Sequence, residues 1–265
     1  MKRIVRLSLW ILIVLVGIGS AAIAQYHMFN PATITGEIGI KDVGPIMGGA
    51  IFFYNADKDP MPTATKYWAV PSFAFPVDNN AHFKAVLPEG NYYIAAVERS
   101  SGELAIPPAD NEQFVIVSDA KGNPKKLNAW KDATIDLGSL VERAQKYSPA
   151  LVGKGITSVQ GTLRDEGGVP VEGIMVLAFS SPNMFQLPLF VSSPSDKNGK
   201  YILRFARGGK YYIMARRTLA GGAPTVGEPI GIYRSGEKPV AVRTGENRKE
   251  INLTVYGMDV KEFHH

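Results

Sequence analysis

The chain has 265 residues, 45% of them hydrophobic, with 27 glycines, 18 prolines and no cysteine. This excludes disulfides, thiolate metal sites, covalent haem attachment and a lipid-modified cysteine, and it suits short strands joined by turns. The formal charge is +5, but Lys2, Arg3 and Arg6 carry three of those charges in a stretch without acid. The remainder is weakly basic and gives no reason to expect nucleic acid.

Residues 1–24, MKRIVRLSLWILIVLVGIGSAAIA, have a basic start, an apolar run from Leu7 to Gly19 and small residues ending in Ala22-Ile23-Ala24. That is the three-part pattern of a secretory signal, with cleavage expected before Gln25. The rival reading is an uncleaved anchor helix, because uncharged residues continue past Tyr26 and about twenty can span a bilayer. Under either reading the body is exported, to the periplasm or the cell surface. Membrane contact is expected only through this segment, and only if it is uncleaved.

Residues 31–138 predict a first domain. Thr35-Gly36-Glu37-Ile38 alternates as a half-buried strand does, and Gly49 to Phe53 is an apolar second strand. Asp78 to Asn80 predicts a turn, followed by a strand through Phe83, the turn Leu87-Pro88-Glu89-Gly90, the strand Tyr92-Tyr93-Ile94, and a closing strand from Thr134 to Leu137. Next, Ser139 with Glu142 three residues on forms a capping box, so 139–155 reads as a linker that opens with a short helix. Residues 156–257 repeat the first order. Gln160 to Leu163 and Gly173 to Leu177 answer the first two strands, and Asp196-Lys197-Asn198-Gly199 answers the turn. Tyr201, Gly208-Gly209 and Tyr211 to Ile213 follow, and Glu250 to Val255 closes the unit. A repeat of this length is a domain, not a solenoid unit. Residues 258–265 form a tail.

The string V-x-G-x-L, then P-V-x-G-I-x-V, D-x-x-G-x-Y-x-L and G-x-Y-Y-I resembles the carboxypeptidase regulatory-like domain. It covers most of 156–257 and, more loosely, 33–138. The resemblance implies an all-β chain of two tandem Greek-key, transthyretin-like β-sandwiches of about seven strands each. It implies an accessory role and no peptidase chemistry, because one fold hosts many functions.

Catalysis leaves little trace. The four histidines, His27, His82, His264 and His265, form no H-E-x-x-H or H-x-x-E motif, and no G-x-S-x-G elbow occurs outside the leader. His82 is expected to face solvent. Transthyretin-like hydroxyisourate hydrolases carry a C-terminal Tyr-Arg-Gly-Ser, whereas Tyr233-Arg234-Ser235-Gly236 has another order and stands well before the end. Calcium at Asp165, Glu166, Asp196 and Asn198 competes with a plain turn, which explains the same residues. The chain reads as a non-enzyme with no metal and no cofactor.

Two loops set aromatics beside prolines. Lys66 to Pro76 contains Tyr67, Trp68, Phe73 and Phe75, and Asn183 to Phe190 contains Met184, Phe185 and Phe190. Large apolar groups in loops point to a protein partner in the envelope or outside the cell. The alternatives are that the loops pack as edge strands, or against the neighbouring domain. A glycan ligand would instead need Tyr67 and Trp68 as a solvent-facing platform. Lys200, Arg204, Arg207, Lys210, Arg216 and Arg217 form a basic set on one hairpin, read as a solvated strand face or a contact for anionic glycan or phospholipid.

Overall fold

The computed structural model describes residues 30–99, 105–109, 112–147, 152, 155–184, 186–219, 227–236 and 238–257. The signal or anchor, Phe185 and the tail lie outside them. In the first half the strands are β1 (Ala32–Ile40), β2 (Gly44–Pro45), β3 (Ala50–Asn55), β4 (Phe73–Pro76), β5 (His82–Leu87), β6 (Gly90–Glu98), β7 (Gln113–Ile116), β8 (Lys126–Ala129) and β9 (Thr134–Glu142). In the second half they are β10 (Thr157–Arg164), β11 (Met175–Phe179), β12 (Phe190–Val191), β13 (Lys200–Phe205), β14 (Gly209–Arg216), β15 (Ile230–Ile232), β16 (Val240–Val242), β17 (Asn247–Arg248) and β18 (Leu253–Thr254).

Each half is a two-sheet sandwich. One sheet of the first half runs β2-β1-β5 with β9 on the other side of β1, and the facing sheet runs β4-β3-β6-β7 with β8 also on β6. The second half repeats this as β13-β10 with β17 and β18, facing β12-β11-β14-β15 with β16. In both, the closing strand lies parallel to the opening one, while the remaining pairings are antiparallel. More than seven strands appear per half because β7 and β8 divide the edge of β6 between them, and β17 and β18 share the closing position.

The repeated residues make the same contacts twice. Gly36 faces Phe83 across β1 and β5, and Gly161 faces Tyr201 across β10 and β13. A Cβ on Gly36 would stand 3.1 Å from the Phe83 ring, and one on Gly161 would stand 2.1 Å from the Ile251 carbonyl. Only glycine lets the aromatic and the closing strand come so near. The Tyr92 ring covers Gly90 and its hydroxyl donates to the Pro88 carbonyl at 3.0 Å; Tyr211 covers Gly209 and donates to Arg207 at 2.9 Å. Asp78 Oδ1 accepts the Asn80 and His82 N–H groups as Asp196 Oδ1 accepts those of Asn198 and Lys200. These carboxylates close turns, and Asp165 Oδ1 likewise accepts the Val169 N–H.

The helix expected from Ser139 is corrected to strand. Gly138, at φ +61, makes a bulge that shifts the β1–β9 register between Thr35 and Glu37. The shift changes which residues face in: Ile135 and Leu137 before it and Leu140 after it all reach the first core, leaving Val141 58% exposed. Glu142 does not cap Ser139; its carboxylate accepts the Ser118 N–H at 3.2 Å. Partial burial of three apolar side chains along β9, together with the β1 pairing, outweighs a local capping signal of about 1 kcal/mol.

Candidate binding site at the domain junction

Strand β3 is buried from Ala50 to Tyr54, and its two faces serve different cores. Ile51 and Phe53 point into the first sandwich with Ile34, Phe83, Tyr92 and Ile94. Ala50, Phe52 and Tyr54 point the other way, with Val97, Phe114 and Ile116, into a cluster continuous with the second sandwich. An antiparallel sheet usually leaves one face to water, so this outer face needs a cover. The Tyr67–Val70 segment supplies it.

Trp68 is 2% exposed, with Phe52, Phe114 and Tyr147 edge-on at 5.7, 5.3 and 5.6 Å, and its indole N–H donates to the Ala105 carbonyl at 3.1 Å. The same segment then joins the second sandwich. Ala69 bridges Phe190 as an antiparallel neighbour, the Val70 N–H donates to the Leu189 carbonyl at 3.0 Å, and the Val191 N–H donates to the Trp68 carbonyl at 3.3 Å. Tyr67 stands edge-on to Phe190 at 5.7 Å, and its hydroxyl donates to the Met61 carbonyl at 2.7 Å. The first domain thereby adds a short strand to the free edge of β12. Burial raises the phenols of Tyr67 and Tyr147, so both remain protonated at neutral pH.

Arg204 crosses the junction from the other side. Its Nη1 donates to the Thr65 carbonyl at 2.7 Å and its guanidinium lies over the Tyr147 ring at 5.2 Å, while the buried Nη2 has no hydrogen-bond partner among the described residues. Below this seam the two halves enclose a cleft of about 870 Å³. Asp57, Lys58 and Asp59 wall one side, Arg207 and Lys210 the other, and Tyr67, Phe190 and Tyr211 line its depth. Asp59 is engaged by the Asn55 N–H at 2.7 Å and the Ser72 hydroxyl at 2.5 Å, so the free charges at the rim are Asp57 against three cations, an excess of positive charge.

The residues expected to bind a partner therefore occupy different places. Tyr67, Trp68 and Phe190 are buried in the junction, so the solvent-facing platform that a glycan would need is absent from them. Phe73 packs on Tyr92 and Phe75 on Phe53, both half-buried against the first core, and Met184 lies against Gly236 in the second. The basic set also divides. Arg216 is buried in a two-pronged ion pair with Glu228, at 2.8 Å for each hydrogen bond, and Arg204 is in the seam. Strand alternation and the filled edge turn these two inward, so they are corrected from the exposed set; Lys200, Arg207, Lys210 and Arg217 face solvent. Lys58 and Tyr147 were not singled out from sequence. The available signal for Tyr147 was an aromatic in an otherwise polar linker.

Among the described residues, no three His, Asp or Glu side chains cluster as metal ligands. His82 is exposed, its Nε2 3.0 Å from Glu37 Oε1. Tyr233–Gly236 form a 3-10 turn.

No family model and no curated protein matches the chain, so the carboxypeptidase regulatory-like resemblance reduces to the shared sandwich architecture. Among solved structures, a Streptococcal ancillary pilin is 15% identical with a TM-score of 0.25, over 86% of this chain and 63% of that one. The Bacillus anthracis TIE protein is 15% identical with a TM-score of 0.25, over 85% and 34%. The fimbrial anchor protein Mfa2 from Porphyromonas gingivalis is 8% identical with a TM-score of 0.23, over 81% and 82%. This chain thus spans less than two thirds of the first two. Likeness at that level assigns no function.

Proposed function

We propose that this chain is an exported, non-catalytic structural and interaction protein of the cell envelope or surface, in which two sandwiches are clamped into one unit that presents the junction cleft to a protein partner. The observation that carries the reading is the clamp itself. Both expected binding loops are used to join the domains, and the cleft they wall brings Lys58, Arg207 and Lys210 together. The aromatics act by fixing the cleft, and the cations at its rim act on the partner, favouring an acidic surface segment.

The reading is tested by affinity capture of the full chain from its native envelope with cross-linking. Wild type is compared with Arg207→Glu/Lys210→Glu, two exposed positions whose change spares folding. A partner retained by wild type and lost by the double variant is expected. Identical partners for both would remove the cleft as the binding site, and recovery of the chain in the cytoplasm would remove the export reading.

A further inference from the structure

The charge of the chain is divided between its halves. Residues 31–138 hold nine Lys and Arg against thirteen Asp and Glu, a formal charge of −4. Residues 156–257 hold thirteen against eight, a formal charge of +5. The buried pairs Arg99–Glu112 and Arg216–Glu228 cancel internally and leave this difference as it is. The chain total conceals two bodies of opposite sign.

Each sign has a surface. On the first sandwich, the side chains of β1, β5 and β9 that turn away from the core fall in rows: Asp136, Thr35 and Lys84 in one, Ser139, Glu37 and His82 in the next. Asp78 stands beside them, its Oδ1 3.9 Å from His82 Nδ1. These residues line a groove of about 650 Å³ in which three carboxylates face one lysine, with histidine counted neutral. On the second sandwich, Gly209 and Lys210 of β14 pair with Val242 and Ala241 of β16, and the Gly208 N–H donates to Thr244 Oγ1 at 2.8 Å. This pairing brings Arg207 and Lys210 beside Arg243 and beside Arg248, whose Nη1 donates to the Ala241 carbonyl. With Lys58 on the opposite wall, the cleft mouth carries five cations against Asp57, Asp59 and Glu246.

The two surfaces cannot meet within one chain. The second sandwich covers the outer face of β3, whereas β1, β5 and β9 lie on the far side of the first core and turn their polar side chains away from the junction. We propose that copies of this chain associate head to tail, with the acidic outer face of β1, β5 and β9 on one copy docking on the cationic cleft mouth of the next. This names the partner in the cleft reading above and rests on it. Opposite charges steer the encounter and fix its sense, because cleft against cleft, or acidic face against acidic face, sets like charges together. The contact uses a different surface on each copy, so every addition leaves one of each kind free and the assembly grows as an open chain.

The chain has no cysteine, so single positions can be marked in the full-length protein. Ser139→Cys marks the acidic face and Ala241→Cys the cleft mouth, both at exposed positions. In native envelope preparations treated with a flexible bismaleimide, the double variant is expected to give a ladder of covalent multimers and each single variant to stay monomeric. Arg207→Glu/Lys210→Glu in the double-cysteine chain should abolish the ladder. Adding Glu37→Lys/Asp136→Lys to that chain should restore it, which a folding defect would not allow. Raising salt from about 0.1 to 1 M shortens the screening length from about 10 to 3 Å and should also remove the ladder. No ladder, multimers from either single variant, or a ladder indifferent to charge reversal or salt overturns the proposal. Affinity capture then separates the two readings. A different protein retained by wild type and lost by Arg207→Glu/Lys210→Glu leaves the cleft reading standing, and the lack of any such protein removes both.

Discussion

Replacing Trp68 by alanine removes the side chain that covers the outer face of β3 at the junction. A buried indole withdraws on the order of 200 Å² from water, which at about 25 cal/mol per Å² is about 5 kcal/mol as an upper bound. Each of its three edge-on ring contacts contributes about 0.5–1.5 kcal/mol beyond area. Relaxation around the hole returns part of this, and large-to-small core changes of this kind cost about 3–5 kcal/mol. We therefore expect Trp68→Ala to lose about 4 kcal/mol, concentrated at the junction. Trp68→Phe, which keeps a ring but drops the bond to the Ala105 carbonyl, should lose about 1–2 kcal/mol. The assay is urea unfolding followed by far-ultraviolet circular dichroism and by calorimetry. Wild type should unfold with its halves coupled, and Trp68→Ala should separate into two transitions. A loss below about 1 kcal/mol with coupling intact would refute the view that this residue joins the domains.

Further expectations concern the two turns, the ion pairs and the seam. Gly199→Ala places a Cβ 2.3 Å from the Leu163 carbonyl at φ +71 and should cost about 2 kcal/mol or more, whereas Ala81→Gly, at the equivalent turn with φ +64, should stay within about 1 kcal/mol; equal effects in thermal unfolding would contradict the equivalence argument. Burial pushes the Glu112 carboxyl up, but the Arg99 guanidinium and the Ala109 N–H outweigh it and hold the carboxyl below its ordinary 4.5. The unfolded chain thus binds this proton more readily, so the contribution is present above the ordinary value and is lost as pH falls through the lowered one. Urea midpoints measured from neutral to acidic pH should fall less steeply for Glu112→Gln than for wild type, and matching slopes would count against the pair. Arg99→Met, which strands Glu112, should lose about 3–5 kcal/mol, while Arg204→Met should remain within about 1 kcal/mol because no carboxylate among the described residues pairs with that guanidinium. Parallel losses on denaturation would show that Arg204 has a carboxylate partner in solution.

The sequence by itself determined the repeated unit. Alternation around Phe83 and Tyr201, the Gly-x-Tyr strings at 90–92 and 209–211, and the Asp-x-Asn turns are short-range rules, and each reappears as the same contact in both halves. It determined less well where side chains of mixed character point. Ser139 with Glu142 satisfies a helix cap locally, yet Gly138 re-phases β9 so that Leu137 and Leu140 are both half-buried against the first core, and only the opposing strand β1 rewards that. The tertiary structure alone decided that Tyr67 and Trp68 face inward. Their environment is built from residues far away in the chain, Phe114 and Tyr147 in the first half and Phe190 in the second, and no local pattern encodes that meeting. The same holds for Arg204 and Arg216, written as exposed strand charges and buried by what covers them. Periodicity reports which residues share a face of a strand; what lies against that face depends on contacts between distant segments, and the junction cleft is made of such contacts.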